Sequence, residues 1–282
     1  MCRLFGFRSA VLSRAHRSLV EAENALCVQA REHPDGWGIG WFHGDDAFLL
    51  KSQEGAGDDA SFRRASARLA SHTLVVHVRR ATIGAVEPKN VHPFRHGRWV
   101  FAHNGTLHGF EALAPVLAEQ TPPDLRERVL GSTDSEAAFH WLLGRMRAAG
   151  LDETGVGEVD VERLGEVLAV ALRELFATSA RLGCPRPVVN FLLTNGRVFV
   201  ANRAGRELFM ASQKKYCRDA DTCPAEKICL EAKRATDRVN HLLVASERIG
   251  DEDHWEEVPD GTLVTLSADF RVRFREGVPQ AI

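Results

Sequence analysis

Short apolar runs bounded by turn residues occupy both ends of the chain, and longer stretches with helical spacing fill its middle. Residues 37–42 and 47–51 are two such runs separated by Gly44-Asp45-Asp46, the pattern of a β-hairpin. Residues 74–79 carry His77 inside an otherwise apolar, β-branched run, and residues 99–103 form another that leads into Asn104-Gly105. Both predict strands that deliver polar residues at their C-terminal ends. Residues 61–71 and 108–119 read as helical, and Thr133-Asp134-Ser135-Glu136 has the capping-box spacing that starts a helix near Asp134. Leu164, Val167, Leu168, Ala171, Leu172 and Leu175 recur at intervals of three and four, which predicts a helix over 161–180. Strands return at Val188–Thr194 and 198–201, joined through Asn195-Gly196, and then at 241–246, 262–267 and 270–274.

Strands, helices and strands in that order, with no linker-like stretch between halves, predict a single α+β layered domain over residues 2–282. Residues 213–238 break the pattern, being polar, basic and holding three cysteines, and are expected to form an insertion between strands. A formal charge of -2 over 282 residues suggests no nucleic-acid partner and no anionic membrane surface. No apolar run approaches the roughly 20 residues of a membrane span, and the N-terminus has no signal-peptide pattern, so a cytoplasmic protein is expected. Cys2, Cys27, Cys184, Cys217, Cys223 and Cys229 are too few and too scattered for a disulfide framework. They are expected to be mostly thiols.

Cys2 changes the picture most. Met1 before so small a side chain is normally removed, and Cys2 would then carry both a thiol and a free α-amine. With an ordinary pKa of about 7.7–8.0 the amine is partly neutral and can act as base for its own side chain. Downstream lie His77-Val78-Arg79-Arg80-Ala81-Thr82-Ile83-Gly84, then Asn90-Val91-His92-Pro93, then Ala102-His103-Asn104-Gly105. With Cys2-Arg3-Leu4-Phe5-Gly6, His33-Pro34-Asp35-Gly36-Trp37-Gly38, Ser132-Thr133-Asp134-Ser135-Glu136 and the late Ala245-Ser246-Glu247, this series resembles the glutaminase domain of class II glutamine amidotransferases. Those are N-terminal-nucleophile hydrolases, and the stand-alone members are the most similar.

The resemblance implies a four-layer αββα fold with two stacked antiparallel sheets. It also implies Cys2 as nucleophile and source of the base, and the Asn104 side chain and Gly105 N–H as oxyanion donors. Arg79 would clamp the substrate α-carboxylate, which a guanidinium can pair bidentately. Asp134 would hold the substrate ammonium, with Thr82, His92 and His103 around the site. No cofactor or metal is needed. The substrate would be glutamine or another γ-glutamyl compound, and ammonia would go to a separate synthase or to water. Arg80 and Ile83 depart from the aminosugar branch, which has Trp and His there, so the gating loop or the glutamine affinity would differ.

Each position has a plainer reading. An isolated Asn-Gly is a turn, Arg79 a surface arginine, and Asp134 a first-turn acid favoured by the helix dipole. The combination around an N-terminal cysteine favours chemistry. Hydrolysis of a different γ-glutamyl amide, as in the ergothioneine-pathway members, fits the same head-group clamp. A non-catalytic regulatory module with a partner- or metal-binding insert is the alternative of another class. Cys217, Cys223 and Cys229 are evenly spaced but lack the close pairs of a zinc site.

Overall fold

The computed structural model describes residues 2–215 and 238–278, so Cys217, Cys223, Cys229 and most of the 213–238 segment lie outside the described residues. The strands are β1 (Arg3–Arg14), β2 (Trp37–His43), β3 (Asp46–Ser52), β4 (Ala70–Val78), β5 (Phe94–His96), β6 (Trp99–Thr106) and β7 (Val188–Thr194). They continue with β8 (Phe199–Asn202), β9 (Phe209–Ala211), β10 (His241–Ala245), β11 (Glu256–Glu257), β12 (Thr262–Leu266) and β13 (Val272–Glu276). The helices are α1 (Leu26–Gln29), α2 (Ala60–Arg68), α3 (Phe110–Gln120), α4 (Pro123–Arg126), α5 (Asp134–Ala148) and α6 (Val161–Arg181). A seven-stranded sheet runs β11-β9-β10-β1-β4-β2-β3 and a six-stranded sheet β13-β12-β8-β7-β6-β5. Neighbouring strands in both are antiparallel.

Alternation along each strand sorts side chains into layers. On β1, Phe5 and Phe7 face outward with Trp37, Val76 and the α2 residue Phe62. Leu4 faces the other way, into a core shared with Val100, Ala102, Leu192 and Phe199 of the second sheet. That sheet turns Trp99, Phe101 and Phe191 outward onto Phe139 and Leu142 of α5 and Leu168 and Leu172 of α6. The order is therefore helix, sheet, sheet, helix, the αββα arrangement of the N-terminal-nucleophile fold. Each large side chain so buried contributes about 1.5–3 kcal/mol from removal of apolar surface from water. On β2 the inner face carries Gly38, because a Cβ there would collide with the His92 carbonyl that crosses it.

Three elements differ from the sequence pattern. β1 is not predicted, because its first half is buried on both faces and lacks the alternation that marks a half-exposed strand. The helix expected over 61–71 stops at Arg68, and Ala70 and Ser71 already belong to β4. The helix expected from 108 starts at Phe110, after Gly109 in the left-handed region at φ 70°. Asn104-Gly105 is no turn: it lies within β6, opposite Asn190 and Val189 of β7.

Candidate active site

Four inward-facing columns end in polar residues at one edge of the space between the sheets. On β4, Val75 and His77 lead to Arg79; on β6, Val100 and Ala102 lead to Asn104; on β10, Leu242 and Val244 lead to Ser246; on β1, Cys2 precedes Leu4. Registers of Arg3 opposite Val78 and Phe5 opposite Ala245 bring Cys2, Arg79 and Ser246 together within the seven-stranded sheet. Asn104 arrives from the six-stranded sheet. Ser246 joins the two: its Oγ accepts from the Leu4 N–H at 2.9 Å and from Asn104 Nδ2 at 3.2 Å, and its own N–H donates to the Leu4 carbonyl at 3.0 Å.

The Cys2 thiol donates to the Arg80 carbonyl at 3.3 Å and accepts from the Arg80 N–H at 3.3 Å. Burial pushes its pKa up, against the Arg80 hydrogen bond and the positive charges of Arg79 and Arg206. It is therefore a neutral thiol near pH 7, and as a nucleophile it would need a base. Gly105 lies so close to β7 that a Cβ would strike the Val188 carbonyl oxygen.

Arg79 is buried, and burial lowers its pKa while Cys2 and Asp35 oppose the shift. Its guanidinium donates to the carbonyls of Ile83 at 3.2 Å, Gly84 at 3.1 Å and Ala85 at 3.1 Å. That loop is tied onward by Asn90, whose amide donates to the Ala85 carbonyl at 3.0 Å and accepts from the Ser132 N–H at 2.9 Å. Gly84 has φ 79°, a conformation that disfavours a side chain, and the loop folds around it onto Arg79.

Asp134 is the first residue of α5, capped by Thr133, whose side chain accepts from the Glu136 N–H at 3.2 Å. Glu136 does not complete the capping box and instead accepts from the Gly131 N–H at 2.6 Å. Asp134 Oδ2 accepts from the Leu107 N–H at 2.7 Å, which pins the end of β6 to the helix. Its Oδ1 lies 3.1 Å from Ser135 Oγ, which in turn lies 2.8 Å from His103 Nδ1, while His103 Nε2 faces the Val188 carbonyl at 3.1 Å. A carbonyl only accepts, so Nε2 carries the proton. Burial keeps His103 below its ordinary pKa despite the Asp134 charge, and a neutral ring must then accept at Nδ1. The one Ser135 hydroxyl proton is claimed by both His103 and Asp134, which leaves Asp134 with unused acceptor capacity.

The remaining expected positions divide. Thr82 is exposed in the loop after β4. His92 is buried, stacked on His77 at a centroid distance of 4.2 Å and against Phe94 at 4.6 Å, with both ring nitrogens unpartnered among the described residues. Burial drives both imidazoles down, His77 to about 3, so both are neutral. Cys2, Arg79, Asn104 and Gly105 thus share one edge of the inter-sheet space. Asp134 and His103 stand on the helix side of β6, Thr82 at the rim, and His92 in the layer beneath. Sequence reasoning gave Ser246 no role, although its spacing of two from Val244 and four from Leu242 puts it on the inward column. Among the described residues no group of three or more His, Cys, Asp and Glu side chains could hold a metal, and no helix is long and apolar enough to cross a membrane.

Residues 1–276 match the family model described as glutamine amidotransferases class-II. The chain is 36% identical over 124 residues to YafJ of Escherichia coli, a match covering 40% of this chain and 43% of that protein, less than half its length. It is 26% identical over 280 residues to the γ-glutamyl-hercynylcysteine sulfoxide hydrolase of Mycobacterium tuberculosis, covering 95% of this chain and 93% of that one. The solved structure of a glutamine aminotransferase class-II domain protein from Silicibacter pomeroyi shares the fold with a TM-score of 0.64 at 18% identity, over 99% of this chain and 100% of that one. With the family matched from residue 1 to the last strand, the chain belongs to the class II glutamine amidotransferases.

Proposed function

We propose that the chain, with Met1 removed and Cys2 as its N-terminus, hydrolyses a γ-glutamyl amide through a Cys2 thioester. The observation that carries this reading is the tether from Leu4, two residues after Cys2, through Ser246 to Asn104, which ties the strand led by the thiol to an amide donor on the other sheet. The freed α-amine takes the thiol proton as sulfur attacks the γ-carbonyl carbon, and passes it to the departing nitrogen. Nδ2 of Asn104 has two hydrogens. One is held by Ser246, and the other, with the Gly105 N–H, is available to the oxyanion. Water then cleaves the thioester and releases glutamate.

Arg79 takes the α-carboxylate by exchanging its loop carbonyls for the substrate, and Asp134 uses its spare acceptor for the ammonium. Ammonia from glutamine passes to a separate synthase or to solvent, and a reducing compartment such as the cytoplasm suits a free nucleophilic thiol. A larger γ-glutamyl conjugate is the second substrate reading, favoured by the full-length similarity to the mycobacterial hydrolase.

The test is intact mass combined with labelling. The active protein should lack Met1, and a glutamine-like diazo-ketone should modify Cys2 with loss of turnover. Cys2→Ala should abolish hydrolysis while the fold survives. Asn104→Ala should lower kcat by about 10²–10³, whereas Arg79→Lys should mainly raise KM. Full activity in Met1-retaining protein, or labelling of another cysteine, would overturn the mechanism.

A further inference from the structure

Beside the Asn104–Gly105 segment lies a cleft of about 420 Å³ lined by Arg186, Pro187, Val188, Arg203, Arg206 and Asp260. Hydrolysis at Cys2 with Asn104, Arg79 and Asp134 makes no use of it. Its position relative to the nucleophile is set by one buried side chain. Asn190 stands opposite Asn104 in the β6–β7 ladder and shares its inward face. The Asn190 amide accepts from the Ala204 N–H at 2.9 Å and donates to the carbonyls of Arg206 at 3.0 Å and Glu207 at 3.3 Å. The connection between β8 and β9 is thereby bolted to the cross-strand partner of Asn104.

The charges in this cleft are unequally matched. Arg203 is paired with Glu257 at 2.5 Å and bonded to the Val258 carbonyl, and Asp260 accepts from the Gly205 N–H at 2.7 Å. Arg186 lies over the Phe176 ring at 4.9 Å, and Glu207 is exposed at the rim. Arg206 is half-buried, makes no hydrogen bond or ion pair from its side chain among the described residues, and has a buried, unpartnered Nε. Its charge is felt by both Cys2 and His103. A partly desolvated guanidinium without an anion beside a nucleophile is costly for the protein alone. It becomes favourable when an anion arrives.

In any γ-glutamyl amide the amino-acid head and the leaving amine lie on opposite sides of the γ-carbonyl. Arg79 and Asp134 account for the head, approaching from the loop after β4 and the start of α5. Arg206 approaches from the β8–β9 connection instead. We propose that this cleft is a leaving-group subsite, and that Arg206 binds a carboxylate carried by the departing amine, so that γ-glutamyl amino acids are preferred substrates. This rests on the γ-glutamyl hydrolase reading and deepens it. The chemical step is the same: the C–S bond forms as the amide C–N bond breaks, the thiol proton leaves on the amine nitrogen, and an amino acid departs in place of ammonia.

The experiment compares γ-glutamylglycine, which has the carboxylate, with γ-glutamylglycinamide, which lacks it, and includes glutamine as a third substrate. The Cys2-first protein should favour γ-glutamylglycine over its amide by about tenfold or more in kcat/KM, the scale of a charge-assisted hydrogen bond. Arg206→Gln should bring that ratio close to one, and Arg206→Lys should retain part of it. A wild-type ratio near one, or a ratio that survives Arg206→Gln, overturns the subsite while glutamine hydrolysis leaves the parent reading standing. Failure to hydrolyse all three substrates overturns both.

Discussion

Ser246 contributes one hydroxyl, and both sheets use it. Removing it in Ser246→Ala leaves the Leu4 N–H and one Asn104 amide hydrogen without an acceptor, and an unsatisfied buried donor costs about 1–3 kcal/mol. The Asn104 side chain would then sample other rotamers. We expect kcat to fall by roughly tenfold with little change in KM, because a loosened oxyanion donor is felt mainly in the transition state. Equal losses in both parameters would show that Ser246 acts on substrate binding instead. At Cys2 the upward shift from burial governs how the thiol's reactivity depends on pH. In protein that retains Met1, alkylation of Cys2 should rise with pH and level off only above the ordinary thiol value of 9.0. A plateau already reached at neutral pH would mean that Arg79, Arg206 and the Arg80 N–H outweigh desolvation.

At the scale of elements, α5 does two things with its first turn. Thr133 caps it, and Asp134, one residue on, secures the end of β6 through the Leu107 N–H. Thr133→Ala should cost about 1 kcal/mol of stability, typical of a lost N-cap, and should also raise KM because Asp134 moves with the cap. A stability loss with unchanged KM would separate Asp134 from substrate recognition. The α5 start was legible because capping is a local code written in four consecutive residues. Most strand interiors were legible for a similar reason, since alternation or short apolar runs between turn residues survive in the sequence. β1 was not, because a central strand buried on both faces has no alternation to read. Arg206 was not legible either, since its place depends on Asn190 meeting the β8–β9 connection. His92 was expected around the site from the resemblance, and burial and the His77 ring hold it in the layer beneath.

For the whole molecule, the buried histidines set the response to acid. His77 is held at about 3, and His92 and His103 are also held below the ordinary value. Unfolded imidazoles titrate near 6.5. The folded state therefore binds fewer protons, and the stability these groups confer is complete above about pH 6.5 and is lost as the pH falls below it. Asp253, raised to about 6, and Glu136 work in the opposite sense. With His241 held at about 4 and His33, His96 and His140 also lowered by burial, the imidazoles outnumber these two carboxyls, so unfolding free energy from urea titration should be smaller at pH 5 than at pH 7. His77→Gln should shrink that difference, and a flat profile between the two pH values would contradict the neutral assignment. The bridge at Ser246 has a mechanical consequence for the molecule as well. One sheet holds the thiol and the other holds the amide donor, so turnover works as a strain gauge on the packing between them. A trimmed side chain in that shared layer, such as Val100→Ala or Leu192→Ala, should reveal itself in slowed catalysis before it reveals itself in lost secondary structure.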